Sequence, residues 1–434
     1  MIAFRTARLF LFILLLLGIS SCGSDNNSTS FATPTGTGYL RKSDTLWIVN
    51  LEGSYTDMGR EYGALLKNEL HDLYKKMDSA IGYEFAKGAN PANMDYIALM
   101  KINMDDREKR LLEGMAMETD LTFDQHEFLN ASLMFMYLPG CSAFAATGDQ
   151  TESGSTIAGR NFDNPIGADG KYAGALKGKS ILVIYNPKGE YHGTHGDNSV
   201  AAMTQIGWVY GLTNLNSQGI YLEYNNGTNS IPIANDLINI LKTTTDGLHQ
   251  NLYAAFDCDT LEQVNDKLSD PVAIATLTQV ADKSRAWHYE RSPYEKSRLI
   301  PAGAARGAYF YDNPDNMDII TNHFFYDNWQ NQKFLDMTTT TSTTFIRLQN
   351  LQAQAKHYAG KINIENMKKI MTTRIADGGP FVDWGVEKND VTHFTSVTDI
   401  ANKVIHIYPN VDANPQTDGY AVKWTTIDLK NEFR

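Results

Sequence analysis

Cysteine is scarce in this chain: three residues in 434, too few for a disulfide framework. Proline is also sparse, at 13 residues, and no internal repeat is present, which excludes collagen-like and proline-rich architectures. Positive charge is in deficit, with 38 Lys and Arg against 50 Asp and Glu. The resulting net charge of −12 gives no attraction to a phosphate backbone, so no nucleic-acid partner is expected. No His-Glu-x-x-His or paired Cys-x-x-Cys signature occurs, and the glycine-punctuated 53–63 segment lacks the Gly-Lys-Ser/Thr ending of a phosphate loop, so neither metal nor nucleotide cofactor is expected. His192, His195 and Asp197 invite a metal reading, but in a strand residues three apart point to opposite faces. What the chain does have is 42% hydrophobic and 11% aromatic residues, enough for a large core in one large domain or two ordinary ones.

The first residues form a targeting segment, set apart from the fold. Arg5 and Arg8 precede an apolar run, Leu9 to Leu17, that is too short to span a bilayer stably. It ends in Gly18-Ile19-Ser20-Ser21-Cys22, which resembles a bacterial lipobox. That resemblance implies a signal peptide over 1–21, lipidation of Cys22, a tether over 22–45 and a place in the cell envelope. Gly23 to Gly38 is mostly Ser, Asn, Thr and Gly, a composition suited to a flexible spacer. Each acyl methylene buried in the membrane adds about 0.8 kcal/mol, so several chains on one cysteine anchor firmly. An ordinary signal peptide with an incidental Cys22 is the alternative.

Beyond the tether the pattern is first helical, over 46–140. Thr56 suits an N-cap, and Met58, Tyr62, Leu65, Leu66, Leu70 and Leu73 share a face. Further helices are expected over 92–118 and 123–136. From Ser155 onward short apolar runs alternate with turn signals, at 156–161, 180–185, 201–210 and 219–224. Residues 273–280 with 285–290, and 395–399 with 404–408, read as hairpins. Helices are expected near 231–256, 343–358 and 363–373. The sum is an α+β fold with a mostly antiparallel sheet. The Thr338–Thr344 tract reads as a surface loop.

Cys258, at the end of an amphipathic segment, reads as a small buried residue. Cys141 differs: it follows Leu138-Pro139-Gly140 at the junction of helical and strand texture. Downstream, Gly159-Arg160-Asn161-Phe162-Asp163, Tyr224-Asn225-Asn226-Gly227 and Thr321-Asn322-His323 place polar groups at strand ends, where loops gather into sites. With the glycine-punctuated Gly53–Gly63 segment and Gly140-Cys141-Ser142, this ordered series resembles the cysteine N-terminal-nucleophile hydrolases. Within them it is similar to the C45-type autoproteolytic group of isopenicillin-N acyltransferase and, more distantly, to bile salt hydrolases and acid ceramidase.

The resemblance implies an αββα sandwich and cleavage of the Gly140–Cys141 bond by the Cys141 thiol. The pieces, 22–140 and 141–434, would remain associated, with 141–434 as the catalytic domain. It implies Asp163 by the freed α-amino group, Arg160 beside the nucleophile, and Asn322 with Asn225 or Asn226 around an oxyanion. Arg347 matches a later arginine of the family. An α-amino group with a pKa of about 7.7–8.0 accepts the thiol proton near neutrality, so no histidine is needed. The expected activity is hydrolysis of the amide bond of a small N-acylated compound through a thioester. Acyl transfer to an amine, or ligand binding without catalysis by a surface lipoprotein, are the alternatives. Each residue also has a plainer reading. Asp163 and Arg160 form a strand-end ion pair, Asn225-Asn226-Gly227 a turn, Asn322 a loop cap, and Arg347 a solvated helix residue. A Cys141–His323 or Cys141–His393 pair of papain type lacks its usual helix-opening context.

Overall fold

Short runs of alternating and fully apolar character pair into two sheets in the computed structural model. It describes residues 38–43, 45–90, 94–132, 140–165, 170–192, 195–231, 237–303, 314–325, 343–383, 390–411 and 423–434. Strands β1 (Tyr39–Ser43) and β2 (Leu46–Gly53) come first, then helices α1 (Tyr55–Ala80), α2 (Tyr83–Ala86), α3 (Tyr96–Asn103), α4 (Asp106–Glu118) and α5 (Phe123–Ala131). Next come β3 (Ser142–Ala146), β4 (Ile157–Pro165), α6 (Lys171–Leu176), β5 (Ser180–Pro187), β6 (Val200–Gln205), β7 (Thr213–Asn216) and β8 (Tyr221–Asn226). Helices α7 (Leu237–Leu241), α8 (Gly247–Asp257) and α9 (Leu261–Leu268) lead to β9 (Thr276–Ala281), β10 (Ala286–Arg291), β11 (Arg298–Pro301) and β12 (Met317–Ile320). The chain closes with α10 (Thr343–His357), α11 (Ile364–Thr372), β13 (Asp390–Asp399), β14 (Val404–Pro409) and β15 (Thr425–Asp428).

Nine strands form the first sheet, in the order β1-β2-β5-β6-β7-β8-β9-β10-β11, and six the second, β12-β3-β4-β13-β14-β15. Every pairing is antiparallel except β2 with β5. The first sheet turns Tyr185 toward the helices, where its ring meets Phe256 of α8 edge-on at 5.9 Å. Its other face turns Asn186 and Asn50 toward Glu432, next to β15 of the second sheet. A core of Leu182, Ala145, Phe162, Phe394 and Ile407 lies with both sheets. On the outer face of the second sheet, Leu348, Leu351, Met367 and Met371 of α10 and α11 pack on Phe144 and Val397. The layering is therefore αββα, as the sequence led us to expect.

Several boundaries differ from expectation for identifiable reasons. The segment expected to be helical from residue 46 opens instead with β2, and the expected tether overlaps β1. Leu46, Val49 and Leu51 of β2 are fully buried because β2 lies between β1 and β5, while the tether composition stops at Gly38. The helix expected over 92–118 is two, because the Asp105 carboxylate accepts from Arg107 N–H and Glu108 N–H and starts α4 afresh. The strand expected over 201–210 stops at Gln205: Gly207 adopts φ of 87°, and its N–H donates to the Tyr62 hydroxyl at 2.9 Å. The 231–256 helix is divided by Asp246, which caps α8. The expected helical residues 133–136 and most of the threonine tract lie outside the described residues.

Glycines of α1 and α4 let the two helices meet closely. A Cβ on Gly59 would lie 2.1 Å from Leu111 O, and one on Gly114 of α4 2.3 Å from Thr56 O. The two helices touch backbone to backbone there, which fixes their spacing.

Candidate active site

Cys141 stands immediately before β3, directly after Gly140. β3 pairs with β4 so that Ser142 faces Asn161 and Ala143 faces Arg160 in register. That register puts Cys141 at the same end of the sheet as Asp163. Strand alternation then sorts the β4 side chains. Arg160 points between the sheets. Asn161 points to the outer helices, donating to Met371 O at 2.9 Å, and Asp163 follows it. Arg160 and Asp163 are three residues apart and do not pair with one another, so the strand-end ion pair is corrected.

Arg160 is completely buried and spreads its guanidinium over several acceptors. Nη2 donates to the Cys141 Sγ at 3.3 Å and to the Tyr224 carbonyl. Nη1 donates to Thr213 Oγ1 at 3.0 Å, and Nε lies 3.7 Å from Glu223 Oε2. Asp163, also buried, accepts from the Thr392 hydroxyl at 2.6 Å, and its other oxygen lies 3.5 Å from Arg347 Nη1. Arg347 is 1% exposed, so its reading as a solvated helix residue is corrected. Its position in the first turns of α10 lets it reach through the outer layer. Nη1 donates to the Cys141 carbonyl and Nη2 to Asn322 Oδ1 at 3.1 Å.

The asparagines complete the cluster. Asn322, just after β12, donates its backbone N–H to the Thr344 hydroxyl oxygen at 2.9 Å and gives one side-chain amide hydrogen to Asn226 O at 3.0 Å. Asn225 is fully buried on the face of β8 that carries Glu223; its Nδ2 donates to Thr321 O at 3.2 Å. Its Oδ1 takes no hydrogen bond among the described residues. Asn226 differs: its side-chain oxygen accepts from Thr228 N–H at 2.8 Å, closing a local turn. The turn reading therefore holds for Asn226, while Asn225 lies among the buried polar groups.

Burial pushes the Cys141 thiol up. The Arg160 guanidinium opposes that, the Asp163 carboxylate adds to it, and the Asp163 N–H and Arg347 pull it down again. Two guanidiniums thus bracket one residue, the first at its sulfur and the second at its carbonyl. Among the described residues no histidine hydrogen-bonds the thiol. His323 Nδ1 sits 3.1 Å from Thr321 Oγ1 and 3.0 Å from Thr344 Oγ1. Burial and Arg347 push its pKa down to about 3, so it is neutral near pH 7. His393 is likewise pushed down to about 3 by burial. Cys258 caps the C-terminus of α8, buried, its thiol pushed up to about 12 by burial. His192 and His195 turn to separate carboxylates, Asp197 at 2.8 Å and Asp259 at 3.0 Å.

Sequence reasoning did not find Glu223, Thr213, Thr392 or the Tyr224 carbonyl. Glu223 stood in view beside Asn225, but only strand alternation and the facing of two sheets bring it to Arg160. The chemistry available to the cluster is that of a buried thiol with cationic donors at its sulfur and backbone, and amides within reach of an anion.

No model of a known protein family matches the sequence, and no curated protein matches it. Solved structures resemble the fold at low identity. A variant of the conjugated bile acid hydrolase from Clostridium perfringens matches with a TM-score of 0.42 and 13% identity, over 67% of this chain and 93% of that one. The Caenorhabditis elegans N-acylethanolamine-hydrolyzing acid amidase ortholog matches with 0.35 and 14%, over 67% and 100%. Penicillin V acylase from Agrobacterium tumefaciens matches with 0.41 and 12%, over 67% of this chain and 92% of its own.

Proposed function

We propose that this chain is a self-processing cysteine amidohydrolase acting on the amide bond of a small N-acylated compound. One observation carries the reading: Arg160 donates to the Cys141 sulfur while Arg347, paired with Asp163, donates to the Cys141 carbonyl. A structural cysteine has no use for two buried guanidiniums; a nucleophile and its own backbone do.

In the precursor, the Cys141 thiol loses its proton and attacks the Gly140 carbonyl carbon. The C–N bond breaks, the Cys141 nitrogen takes the proton, and Gly140 is held as a thioester. Water hydrolyses the thioester, leaving a Gly140 carboxylate and a free thiol and α-amine on Cys141. In turnover the neutral α-amine accepts the thiol proton, and the thiolate attacks the substrate acyl carbon. The Asn322 amide, joined by that of Asn225, stabilises the tetrahedral oxyanion. The ammonium then protonates the leaving amine, and water releases the acid from the thioester. Arg160 holds the sulfur in place, and Asp163 with Arg347 positions the backbone of residue 141. The fragment 22–140 stays bound after cleavage because β2 is an interior strand of the first sheet. Lipidation of Cys22 would anchor the enzyme in the cell envelope.

Intact mass of the purified protein beside its Cys141→Ala variant tests this. Two fragments, 22–140 and 141–434, are expected for the first and one chain for the second. An uncleaved chain of unaltered sequence overturns self-processing. A panel of N-acylated compounds then tests turnover. Release of the trapped acyl thioester by water supports hydrolysis, and release only by an added amine makes the protein an acyltransferase.

A further inference from the structure

We propose that Glu223 is a positioning residue that sets the charge balance of Arg160 and, through it, the ionisation of Cys141. The proposal rests on the reading of Cys141 as nucleophile. Glu223 is fully buried on the β8 face turned toward the second sheet. Among the described residues it is the one carboxylate within 4 Å of the Arg160 guanidinium, 3.7 Å from Nε. The other partners of Arg160 are a hydroxyl, a carbonyl and the thiol, none of which cancels a charge. That Nε makes no hydrogen bond among the described residues, so the carboxylate acts on it through charge alone.

Strand register explains why Glu223 is there. Thr213 on β7, Glu223 on β8, Gln279 on β9 and His288 on β10 stand opposite one another in register, one polar row across the first sheet. Thr213 holds one end of Arg160. At the other end Gln279 donates to Asp318 O at 3.0 Å and to Asp318 Oδ2 at 2.9 Å, so its amide nitrogen is committed. Glu223 Oε2 accepts from the Tyr221 hydroxyl at 3.2 Å, whereas Oε1 takes no partner among the described residues. The carboxyl thus sits between a cation on one side and, on the other, the Asp318 carboxylate, whose second oxygen meets His288 Nδ1 at 2.7 Å. Burial raises its pKa to about 8, against the pull of Arg160 and Tyr221 and with the push of Asp318. Ionised, it compensates Arg160, which then meets the sulfur as part of a neutral pair. Neutral, it leaves an uncompensated guanidinium 3.3 Å from the thiol, which favours the thiolate.

The test is the thiolate absorbance at 240 nm, titrated as the difference between each protein and its Cys141→Ala counterpart. Glu223→Gln should move the Cys141 midpoint toward acid by about one unit, a tenfold change in the ionisation constant. In an Arg160→Gln background the same substitution should move it far less, because the effect passes through the guanidinium. Glu223→Asp, which keeps the charge but withdraws it by one methylene, carries the test with a smaller shift should the glutamine variant not fold. An unmoved midpoint in the folded variant, or an equal shift with and without Arg160, overturns the proposal. Because the titration reads the thiol directly, it stands apart from turnover. Loss of the amidase reading would show instead as unchanged activity in Cys141→Ala.

Discussion

The pair of Arg347 with Asp163 is the contact on which the site geometry depends, and its energetics can be worked out in advance. Both groups are at most 1% exposed, so solvent screening does little to weaken them. Replacing Arg347 by Met leaves the Asp163 carboxylate buried without its cation, which costs about 3–5 kcal/mol. The donors to the Cys141 carbonyl and Asn322 Oδ1 disappear as well, at about 1 kcal/mol each. Asp163→Asn keeps an acceptor for the Thr392 hydroxyl but strands the guanidinium, at a similar cost. With both replaced, no buried charge is left alone. The double variant should recover about 2–3 kcal/mol relative to the sum of the singles, about a hundredfold in the unfolding constant. Urea unfolding, followed by tryptophan fluorescence in a Cys141→Ala background, measures this cycle on one uncut chain. Additivity within about 0.5 kcal/mol would refute the reasoning, since it would mean the two groups do not share a buried interaction.

Other consequences follow from particular residues. Asn225→Ala should lower kcat by about a hundredfold through the oxyanion, whereas Asn226→Ala should cost only stability, about 1 kcal/mol, because its side chain closes a turn. Steady-state kinetics and melting of the two variants separate these outcomes, and equal losses of kcat would reject the assignment. Glu127 on α5 is fully buried, neither oxygen has a hydrogen-bond partner among the described residues, and burial and Glu108 hold its pKa well above the usual range. A raised folded-state value gives stability that is present below about pH 4.5 and lost as pH rises toward the folded value. Glu127→Gln should therefore gain on the parent by about 1.4 kcal/mol per pH unit as pH rises above about 4.5. Parallel stability curves for the two proteins would contradict that. Gly114→Ala drives a methyl into the Thr56 carbonyl at 2.3 Å and should cost at least about 2 kcal/mol by urea midpoint. A neutral effect would mean that α1 and α4 separate at no cost.

Some of this protein was legible from residues alone. Local signals sufficed for the hairpins β9–β10 and β13–β14, where turn residues lie between short apolar runs, and for α10 and α11, where the apolar period is intact. The α+β class followed from those textures. Asp105, Gly207 and Asp246 were equally present in the sequence, yet their effect as breaks depends on a carboxylate finding two N–H groups or a glycine finding a tyrosine hydroxyl. Strand β2 was missed because its burial comes from β5, more than a hundred residues away, and β1 pairs on β2 in turn.

The candidate site divides in the same way. An ordered series of short blocks, through the family it resembles, singled out Cys141, Arg160, Asp163, Asn322 and Arg347. It could not say which faces which. Alternation along β4 sends Arg160 and Asp163 to opposite sides of one sheet, and only the stacked layers supply each with its own partner, Glu223 between the sheets and Arg347 from the outer helix. A one-dimensional chain fixes the chemistry of its side chains. The sign of the charge that meets each of them is a property of strand register and layer packing, and that was decided in three dimensions.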